Sequence, residues 1–256
     1  MMKSKIIVAY HKRYEAPKNQ LYIPLQVGKA NSKVTLDMMG DNQGKNISSR
    51  NASFCELTGH YWAFKNLKAD TYGLVHYRRY FKSPSSNKLF IKGHPILDEN
   101  DLGHLKNFDV MLPKKRNFYI MTIFKHYQSY HFQKDWVTLE TVMRDRFPEY
   151  LNALNIFANQ TCMHEFNMFV MKKKYFFQYS RWLFKILFEL EKKIDIRNYD
   201  TYQKRIFGFL GERLLNIWII HHQQSIKIKE LDTINLEKKI IDHILDSLSL
   251  LKRKYF

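Results

Sequence analysis

The sequence has few cysteines, and their spacing excludes two classes of small, cysteine-stabilised protein. Only Cys55 and Cys162 occur among the 256 residues, and neither lies in a Cys-x-x-Cys or Cys/His pattern. Two such cysteines form neither the disulfide framework of a secreted domain nor the ligand set of a structural zinc site. We therefore expect a reducing, cytoplasmic compartment.

Long hydrophobic runs are also absent. The apolar run at the N-terminus, IIVAY, spans only residues 6–10 before charged residues return. A spanning helix needs about 20 consecutive apolar residues, and a signal peptide needs a longer apolar centre than this one. The sequence therefore predicts neither a membrane span nor a signal peptide.

The common nucleotide-binding motifs are missing as well. The chain contains no GxxxxGK[ST] and no GxGxxG, which argues against a P-loop and a dinucleotide-binding fold of the usual kind. It also contains no Asp-x-Asp, the motif with which enzymes that use nucleotide-diphosphate donors commonly hold a divalent cation. We predict no metal ligands, and the use of Mg²⁺ or Mn²⁺ as a cofactor stays open.

Positive charge is abundant. The chain carries 42 Lys and Arg against 24 Asp and Glu, a formal net charge of +18. A field of this sign attracts nucleic acid, an anionic membrane surface or a phosphorylated substrate. Because the cations are scattered, with short clusters only at 114–116, 172–174 and 252–254, a disordered basic arm is not indicated.

Short apolar runs alternate with helical patterns along the chain, which predicts an α/β fold with a mostly parallel sheet flanked by helices. We expect residues 17–46 to be an irregular loop, because Pro, Gly, Asn and Asp recur there. The predicted strands are 5–10, 72–75, 108–113, 165–173 and 225–231. The predicted helices are 48–66, 100–106, 120–154 with a break near Pro148, 175–193 and 205–222.

Two regions follow from this pattern: residues 1–230 as one domain and residues 231–256 as a helical C-terminal part. The C-terminal segment places Ile241, Ile244, Leu245, Leu248 and Leu251 on one helical face. Packing on the domain, a membrane-surface anchor and a partner helix all fit this face. The sequence does not distinguish among them.

Cations follow several predicted strands at the edge of the sheet where ligands of such folds bind. The segment HYRRY ends one strand, PKKR ends another, and the lysines at 172–174 end a third. His76, Arg78 and Arg79 are candidates for binding a diphosphate, because guanidinium groups match phosphate oxygens. On a continuing strand Arg78 and Arg79 point to opposite faces, so only one would reach the ligand. Solvated strand-end charges are the alternative.

A polar loop, GDNQGKNISSRN at 40–51, precedes a predicted helix N-terminus, where free backbone N–H groups favour anions or polar ligands. Asn46, Ser48 and Asn51 are therefore candidates for the nucleotide or acceptor side of a cleft. An ordinary helix cap explains the same residues equally well.

Four carboxylates among apolar neighbours are candidate general bases: Glu56, Asp135, Glu165 and Glu212. We favour Glu212, because Gly208 and Gly211 before it leave room for a substrate, with Asp135 and Glu165 behind it. An ion pair with a nearby cation is the alternative for each. His131 and His164 are candidate ligand-binding residues, although a histidine in an aromatic setting is usually structural.

Several motifs in one order resemble the DUF4422 family of bacterial capsular and exopolysaccharide glycosyltransferases. The likeness extends from residue 5 to about 222. It rests on VGKANS (27–32), GDNQGKNISSRNASFCELTGHYWAFKN (40–66), YGLVHYRRYF (72–81), FDVMLP (108–113), YQSYH (127–131), FNMFVM (166–171), YSRWLFKILFELE (179–191) and GFLGERLLNIWI (207–218).

The resemblance implies a GT-A-like (Rossmann-like) fold and an inverting transfer of a sugar from a nucleotide-diphosphate donor, UDP in particular. Some relatives are associated with galactofuranose. FNMFVM resembles the strand that lines the donor sugar, which places Asn167 beside it. HYRRY stands where GT-A enzymes keep Asp-x-Asp, and it would neutralise the diphosphate instead of a metal. The implied acceptor is a lipid-linked oligosaccharide in capsule, exopolysaccharide or O-antigen synthesis, on the inner face of the plasma membrane.

Two other function classes stay open. A non-enzymatic nucleic-acid-binding protein would also be basic and rich in aromatic residues, although no RRM, KH or helix-turn-helix pattern occurs and nucleic acid is not the expected substrate. A membrane-surface scaffold would bind anionic lipid and no sugar nucleotide.

Overall fold

A mixed sheet forms the centre of the computed structural model, which describes residues 3–85, 89–104 and 106–237. The strands are β1 (Ser4–Tyr10), β2 (Tyr22–Gln26), β3 (Met39–Gly40), β4 (Thr71–His76), β5 (Arg79–Phe81), β6 (Phe90–Ile91), β7 (His94–Pro95), β8 (Val110–Pro113), β9 (Arg116–Asn117), β10 (Cys162–Met163), β11 (Phe169–Lys172), β12 (Ile228–Leu231) and β13 (Thr233–Asn235).

Helices cover the sheet. They are α1 (Asn51–Phe54), α2 (Leu57–Asn66), α3 (Glu99–His104), α4 (Ile123–Tyr130), α5 (Gln133–Arg146), α6 (Leu151–Asn159), α7 (Lys173–Lys193) and α8 (Ile206–His222). Short 3-10 turns lie at Lys29–Asn31, Ser48–Arg50, Pro148–Tyr150 and Gln203–Arg205. The predicted interruption near Pro148 is confirmed, because the proline begins the turn that separates α5 from α6.

The strand order is β12-β8-β11-β4-β1-β2-β3, and β5 and β13 join the same sheet beside β4. Six strands of this row run parallel, and only β11 runs antiparallel to its neighbours β4 and β8. The predicted α/β fold with a mostly parallel sheet is therefore confirmed.

Side chains of β1 alternate between two cores, as the twofold period of a strand requires. Ile7 and Ala9 join a cluster with residues of α2, α7 and α8. Ile6, Val8 and Tyr10 face the other side, where apolar residues within 77–81, 91–102 and 231–236 cover the sheet. Both faces are therefore buried, which explains why β1 is apolar from Ile6 to Tyr10 and β4 from Tyr72 to Val75.

Three sequence expectations about this framework are wrong. The stretch 17–46 is not wholly irregular, since β2 pairs with β1 in parallel. Pro24 argued against a strand here, because proline is rare in the middle of a sheet. The proline is tolerated because the outer neighbour β3 pairs only with Leu25 and Gln26. The helix predicted from residue 48 is broken at Cys55, whose φ of 52° ends α1 before α2 begins.

The third correction concerns the direction of β11. Because β11 runs antiparallel to β4, its C-terminal residues lie at the edge of the sheet opposite to the carboxyl ends of β1 and β4. Lys172, Lys173 and Lys174 consequently line a separate cavity of about 820 Å³ there, together with Lys3 and Asp70. They take no part in the edge where His76 lies.

The predicted C-terminal helix, residues 231–256, lies outside the described residues from 238 onward. Its first residues, 231–237, contain the end of β12 and the strand β13, which pairs with β5. The sheet thus continues beyond the predicted boundary at residue 230.

Candidate active site

A cleft of about 660 Å³ opens at the carboxyl ends of β1 and β4. The antiparallel strand β11 contributes its N-terminal approach, residues 166–168, to the same edge. The cleft is lined by Ala9, His11, Val27, Asn51, Ala52, Cys55, Glu56, His76, Tyr77, Arg78, Arg79, Phe166, Thr201, Lys204, Arg205 and Glu212. The structure therefore brings together Glu212, Asn51 and all three residues predicted to bind a diphosphate.

The HYRRY segment is a hairpin and not the end of a continuing strand. His76 pairs with Arg79 across a turn at Tyr77 and Arg78, after which β5 runs back along β4. Because the chain reverses here, both Arg78 and Arg79 line the cleft. The premise of a continuing strand is therefore wrong, and both arginines are placed where a ligand in the cleft could meet them.

Arg79 is a half-buried guanidinium without a carboxylate partner. Its guanidinium carbon lies 4.3 Å from the centre of the Phe166 ring, and among the described residues it forms no salt bridge. Burial, and then the nearby charge of Arg78, lower the pKa of Arg79 from its usual value. A desolvated, unpaired guanidinium of this kind has a strong tendency to bind an anion.

Arg78 is held by a carboxylate at the rim of the cleft. Its Nη1 lies 2.8 Å from Oε2 of Glu237, and Oε1 of the same glutamate lies 3.0 Å from Nζ of Lys12. All three side chains are partly exposed, so the contacts are weak and exchangeable. A phosphate group entering the cleft could therefore take the place of Glu237 on Arg78.

His76 positions the backbone and contributes no charge. Its Nε2–H donates a 2.7 Å hydrogen bond to the carbonyl oxygen of Phe166. Burial, which is the largest effect, lowers the pKa of His76, so the ring is neutral near pH 7. A contact between His76 and a diphosphate stays a prediction, and a neutral ring would make it without a positive charge.

Phe166 and Asn167 form a strained bend between His76 and Glu212. Their φ angles are 78° and 50°, values that residues with a side chain rarely adopt. Nδ2 of Asn167 donates to Oε1 of Glu56 at 2.6 Å and to the carbonyl oxygen of Gly208 at 3.1 Å. Its Oδ1 is buried and has no hydrogen-bond partner among the described residues. The bend thus directs an unused acceptor into the protein interior next to the cleft.

Glu212 is the carboxylate whose chemistry the cleft changes most. Burial, which outweighs the neighbouring Arg213, raises the pKa of Glu212 to about 7. Oε1 accepts the backbone N–H of Phe166 at 3.1 Å, and Oε2 lies 3.1 Å from Nη1 of Arg213. A carboxylate with this pKa can accept a proton near neutral pH, as a general base must.

The two glycines before Glu212 serve packing and not substrate space, contrary to the sequence expectation. A Cβ on Gly211 would lie 2.6 Å from Cδ1 of Leu57 and 3.2 Å from Oδ1 of Asn167. A Cβ on Gly208 would lie 3.0 Å from Sγ of Cys55. The glycines let α8 approach α1 and α2 closely enough to bring Glu212 beside Glu56.

The polar loop at 40–51 contributes only its last residue to the cleft. Asn51 lines it and donates through Nδ2 to the carbonyl oxygen of Cys55 at 2.6 Å. Asn46 is exposed and bonds to the carbonyl oxygens of Asn42 and Gly44. Ser48 is buried and donates to Asp41, which also accepts the backbone N–H of Gly28. Asn46 and Ser48 therefore stabilise the loop itself.

Four other candidate residues lie outside the set that lines the cleft. Asp135 is buried and accepts the Tyr199 hydroxyl at 2.6 Å, and Glu165 lies 3.2 Å from Nη1 of Arg116. Asp135 and Glu165 both have apolar neighbours in the sequence, but their side chains bind these partners and do not line the cleft. The two histidines are also held by structural hydrogen bonds: His131 to Gln203, and His164 to the carbonyl oxygen of Pro113.

Sequence reasoning missed several basic residues of the cleft. His11 directly follows β1, so the rule that ligands bind at strand ends could have found it. Burial and nearby cations, Arg78 first among them, lower the pKa of His11, which reports a positive potential inside the cleft. Lys204 and Arg205 belong to a 3-10 turn before α8 and gave no periodic signal.

A divalent cation does not fit the described side chains. Among residues 3–85, 89–104 and 106–237, no group of three or more His, Cys, Asp and Glu is arranged to hold a metal ion. The carboxylates of the cleft, Glu56 and Glu212, already accept hydrogen bonds from Asn167, Phe166 and Arg213. We derive no step through a metal.

No helix within the described ranges is long and apolar enough to cross a membrane.

Comparison with known proteins identifies the family. Residues 5–224 match the family described as domain of unknown function DUF4422. The chain belongs to the DUF4422 family. The resemblance carried by its sequence motifs is thereby confirmed. No curated protein matches the sequence.

A solved structure similar to this DUF4422 chain is the apo structure of the bifunctional glycosyltransferase WbbM. The TM-score is 0.83 and the sequence identity is 34%, over 92% of this chain and 46% of WbbM. This chain therefore spans about half the length of that protein. The likeness confirms the GT-A-like α/β fold.

Proposed function

We propose that this protein is an inverting glycosyltransferase that transfers a sugar from a nucleotide-diphosphate donor, with UDP as the nucleotide. The observation that carries the proposal is the pairing of two groups in one cleft: the unpaired guanidinium of Arg79 and the carboxylate of Glu212. Membership of the DUF4422 family and the likeness to WbbM support the same reaction class.

The chemistry assigns separate roles to the two groups. Glu212 removes the proton from an acceptor hydroxyl, whose oxygen then forms a bond to the anomeric carbon of the donor sugar. The bond between that carbon and the diphosphate oxygen breaks, and its electron pair leaves with the nucleotide diphosphate. Glu56, which accepts a hydrogen bond from Asn167 in the same cleft, is the second candidate for the base.

The departing diphosphate gains negative charge, and the cations of the cleft stabilise it. Arg79 binds it directly, and Arg78 exchanges Glu237 for a phosphate oxygen. Lys204 and Arg205 line the same cleft. This arrangement would do in the DUF4422 chain what a metal held by Asp-x-Asp does in other GT-A enzymes.

Asn167 is proposed to contact the donor sugar. Its Oδ1 is buried without a partner, while its Nδ2 is fixed by Glu56 and Gly208. The resemblance of FNMFVM to the strand that lines the donor sugar in GT-A enzymes supports this contact, and Glu56, which accepts the hydrogen bond from Nδ2, lines the cleft. This contact would be lost in Asn167→Ala and would appear as weaker binding of UDP-sugar but not of UDP.

The family supplies the remaining elements of the proposal. The acceptor is a lipid-linked oligosaccharide of capsule, exopolysaccharide or O-antigen synthesis, met at the inner face of the plasma membrane. Galactofuranose is the donor sugar we would try first, because some relatives are associated with it. The net charge of +18 fits a protein that visits an anionic surface.

Binding of UDP, UMP and uridine to the purified protein tests the diphosphate role. We expect affinity to fall steeply from UDP to uridine and to weaken with salt, because Arg78 and Arg79 hold the phosphates. Equal affinity for UDP and uridine would contradict this role. Steep salt-dependent binding to DNA or RNA with no nucleotide binding would favour a nucleic-acid-binding protein instead.

A further inference from the structure

Exposed apolar side chains gather beside the cleft, on the surface formed by the end of α4, the start of α5 and the loop at 199–205. Tyr130, Phe132, Val137 and Tyr202 are among the most exposed large hydrophobic residues that the structure describes. We call these four residues, together with Lys134, the aromatic rim. Single exposed apolar residues are ordinary on protein surfaces, whereas a group of adjacent ones marks an interaction site.

Ring and backbone contacts join the members of the aromatic rim. The ring of Tyr202 stacks on His131 with centroids 5.9 Å apart, and His131 lies between Tyr130 and Phe132 in the chain. The side chain of Gln203 donates to the carbonyl oxygen of Tyr130 at 2.7 Å. Val137 lies one helical turn after Lys134 on α5. These contacts place Tyr130, Phe132 and Tyr202 close together, and Val137 follows on the helix that carries Lys134.

Cations accompany the aromatic rim. Nζ of Lys134 lies 5.4 Å from the centre of the Phe132 ring and 4.9 Å from that of Tyr199. Lys204 and Arg205 follow Tyr202 directly and also line the cleft. The nearby carboxylates already have partners: Asp195 pairs with Arg197 at 2.7 Å, and Asp200 accepts the backbone N–H of Gln203 at 2.7 Å. The surface thus combines exposed apolar groups with positive charge, which complements an anionic lipid surface.

The polar groups near the aromatic rim are poorly suited to recognising a saccharide by hydrogen bonds. A sugar site needs free hydrogen-bonding side chains for the hydroxyl groups. The amide of Gln203 is occupied at both ends, by Tyr130 and His131, and the carboxylate of Asp135 is held by Tyr199. Phe132 and Val137 offer no hydrogen bond at all. Tyrosine at an interface, apolar side chains and lysine are instead the combination found where a protein meets lipid.

We propose that the aromatic rim docks the protein on an anionic membrane surface, with Phe132, Val137 and Tyr202 entering the headgroup region and Lys134 pairing with lipid phosphates. Tyr202 is next to Thr201, which lines the cleft, so docking by this surface would face the cleft toward lipid-linked molecules. That consequence rests on the proposed function, whereas docking itself does not.

Vesicle flotation of the purified full chain tests the proposal without any sugar nucleotide. Vesicles of phosphatidylglycerol and phosphatidylethanolamine should bind the protein, and vesicles of phosphatidylcholine alone should bind it weakly. The double variant Phe132→Ser, Tyr202→Ser should bind acidic vesicles about tenfold more weakly. Phe90→Ser is the matched control, because Phe90 is 53% exposed and Phe132 is 42% exposed. It should bind like the unaltered protein.

The charge contribution has its own control. Lys134→Gln should weaken binding to acidic vesicles about fivefold, the effect expected for one cation near an anionic surface. Lys185→Gln, which removes an exposed lysine from α7, should have no effect. Thermal unfolding of each variant must match the unaltered chain, so that a folding defect is not mistaken for lost docking.

Depth of insertion distinguishes this surface from any other that binds lipid. The four native tryptophans are buried, so lipids brominated on their acyl chains should quench Phe132→Trp and not Phe90→Trp. Binding without this difference would mean that another face docks and would overturn the proposal. Absence of binding to acidic vesicles would also overturn it. So would a double variant that keeps vesicle binding but uses a water-soluble oligosaccharide acceptor poorly, because the surface would then be a saccharide site.

Discussion

The backbone N–H of Phe166 donates a 3.1 Å hydrogen bond to Oε1 of Glu212. The carbonyl oxygen of the same residue accepts Nε2–H of His76 at 2.7 Å. One strained peptide segment therefore connects the end of β4 to α8 and determines where the proposed base lies. This connection makes the HYRRY hairpin and Glu212 parts of one site, although 136 positions separate His76 from Glu212 in the chain.

The first prediction concerns the base. Glu212→Gln keeps the size of the side chain but removes its ability to accept a proton, so we expect kcat to fall by about 10²–10⁴. The matched control is Glu189→Gln, because the two side chains are 23% and 25% exposed and Glu189 lies on α7 away from the cleft. Near-normal turnover by folded Glu212→Gln protein would transfer the role to Glu56, which Glu56→Gln would then test.

The second prediction concerns pH. Glu212 must be ionised to act as a base, so turnover should rise as pH increases through about 7, the pKa to which burial raises Glu212. A rate that is already maximal at pH 5 would contradict this assignment.

Stability should follow the opposite trend. The pKa of Glu212 is about 7 in the folded protein and near the ordinary 4.5 in the unfolded chain, so the folded state holds the proton more tightly. The contribution of Glu212 to the free energy of unfolding should therefore be greatest below the unfolded pKa and be lost as pH rises through about 7. Glu212→Gln should raise the melting temperature relative to the unaltered chain at pH 8 and change it little at pH 4. Equal differences at both values would show that ionisation of Glu212 is not responsible.

The third prediction concerns the donor diphosphate. Arg79→Ala removes an unpaired guanidinium from the cleft, and we expect UDP affinity to fall by about 10- to 100-fold, the range for a charge-assisted contact. Arg181→Ala is the control, because Arg181 also lies over a phenylalanine ring, that of Phe177, but outside the cleft. Titration calorimetry with UDP gives both values. Unchanged affinity in Arg79→Ala would remove Arg79 from the site.

The fourth prediction concerns the glycines of α8. Gly211→Ala would place a Cβ 2.6 Å from Leu57, so we expect a loss of about 1–3 kcal/mol in the free energy of unfolding. Gly103→Ala, in α3, has no atom within 4 Å of the added Cβ and should be neutral or stabilising by up to about 1 kcal/mol. Denaturant unfolding measures both. If Gly211→Ala were as stable as the control but lost substrate affinity, the glycine would serve substrate space after all.

The strands were predictable where burial alone explains the run of apolar residues. The centres of β1 and β4 are apolar because both faces of the sheet are buried, and Arg78 and Arg79 follow β4 at the edge where ligands bind. The direction of β11 could not be predicted, since an apolar run looks the same in either orientation, and the lysines after it were therefore assigned to the wrong edge. β2 was missed because Pro24 interrupts its pattern.

The site was predictable only in part, for a related reason. Glu212 and Asp135 both lie among apolar residues in the sequence, yet only Glu212 lines the cleft, while Asp135 is buried against Tyr199. Sequence neighbours predict burial but do not tell a cleft from a core. The Phe166–Asn167 bend gave no clear signal, because asparagine is enriched at positive φ but phenylalanine is rare there.

The central claim is that this cleft transfers a sugar with cationic stabilisation of the diphosphate. The most direct measurement is acceptor-dependent UDP release from a panel of UDP-galactofuranose, UDP-galactose and UDP-glucose, with and without EDTA. We predict turnover of one donor that EDTA leaves unchanged and that Arg79→Ala abolishes. Turnover that EDTA abolishes would contradict the cationic role, and no turnover or binding of any donor would contradict the function itself.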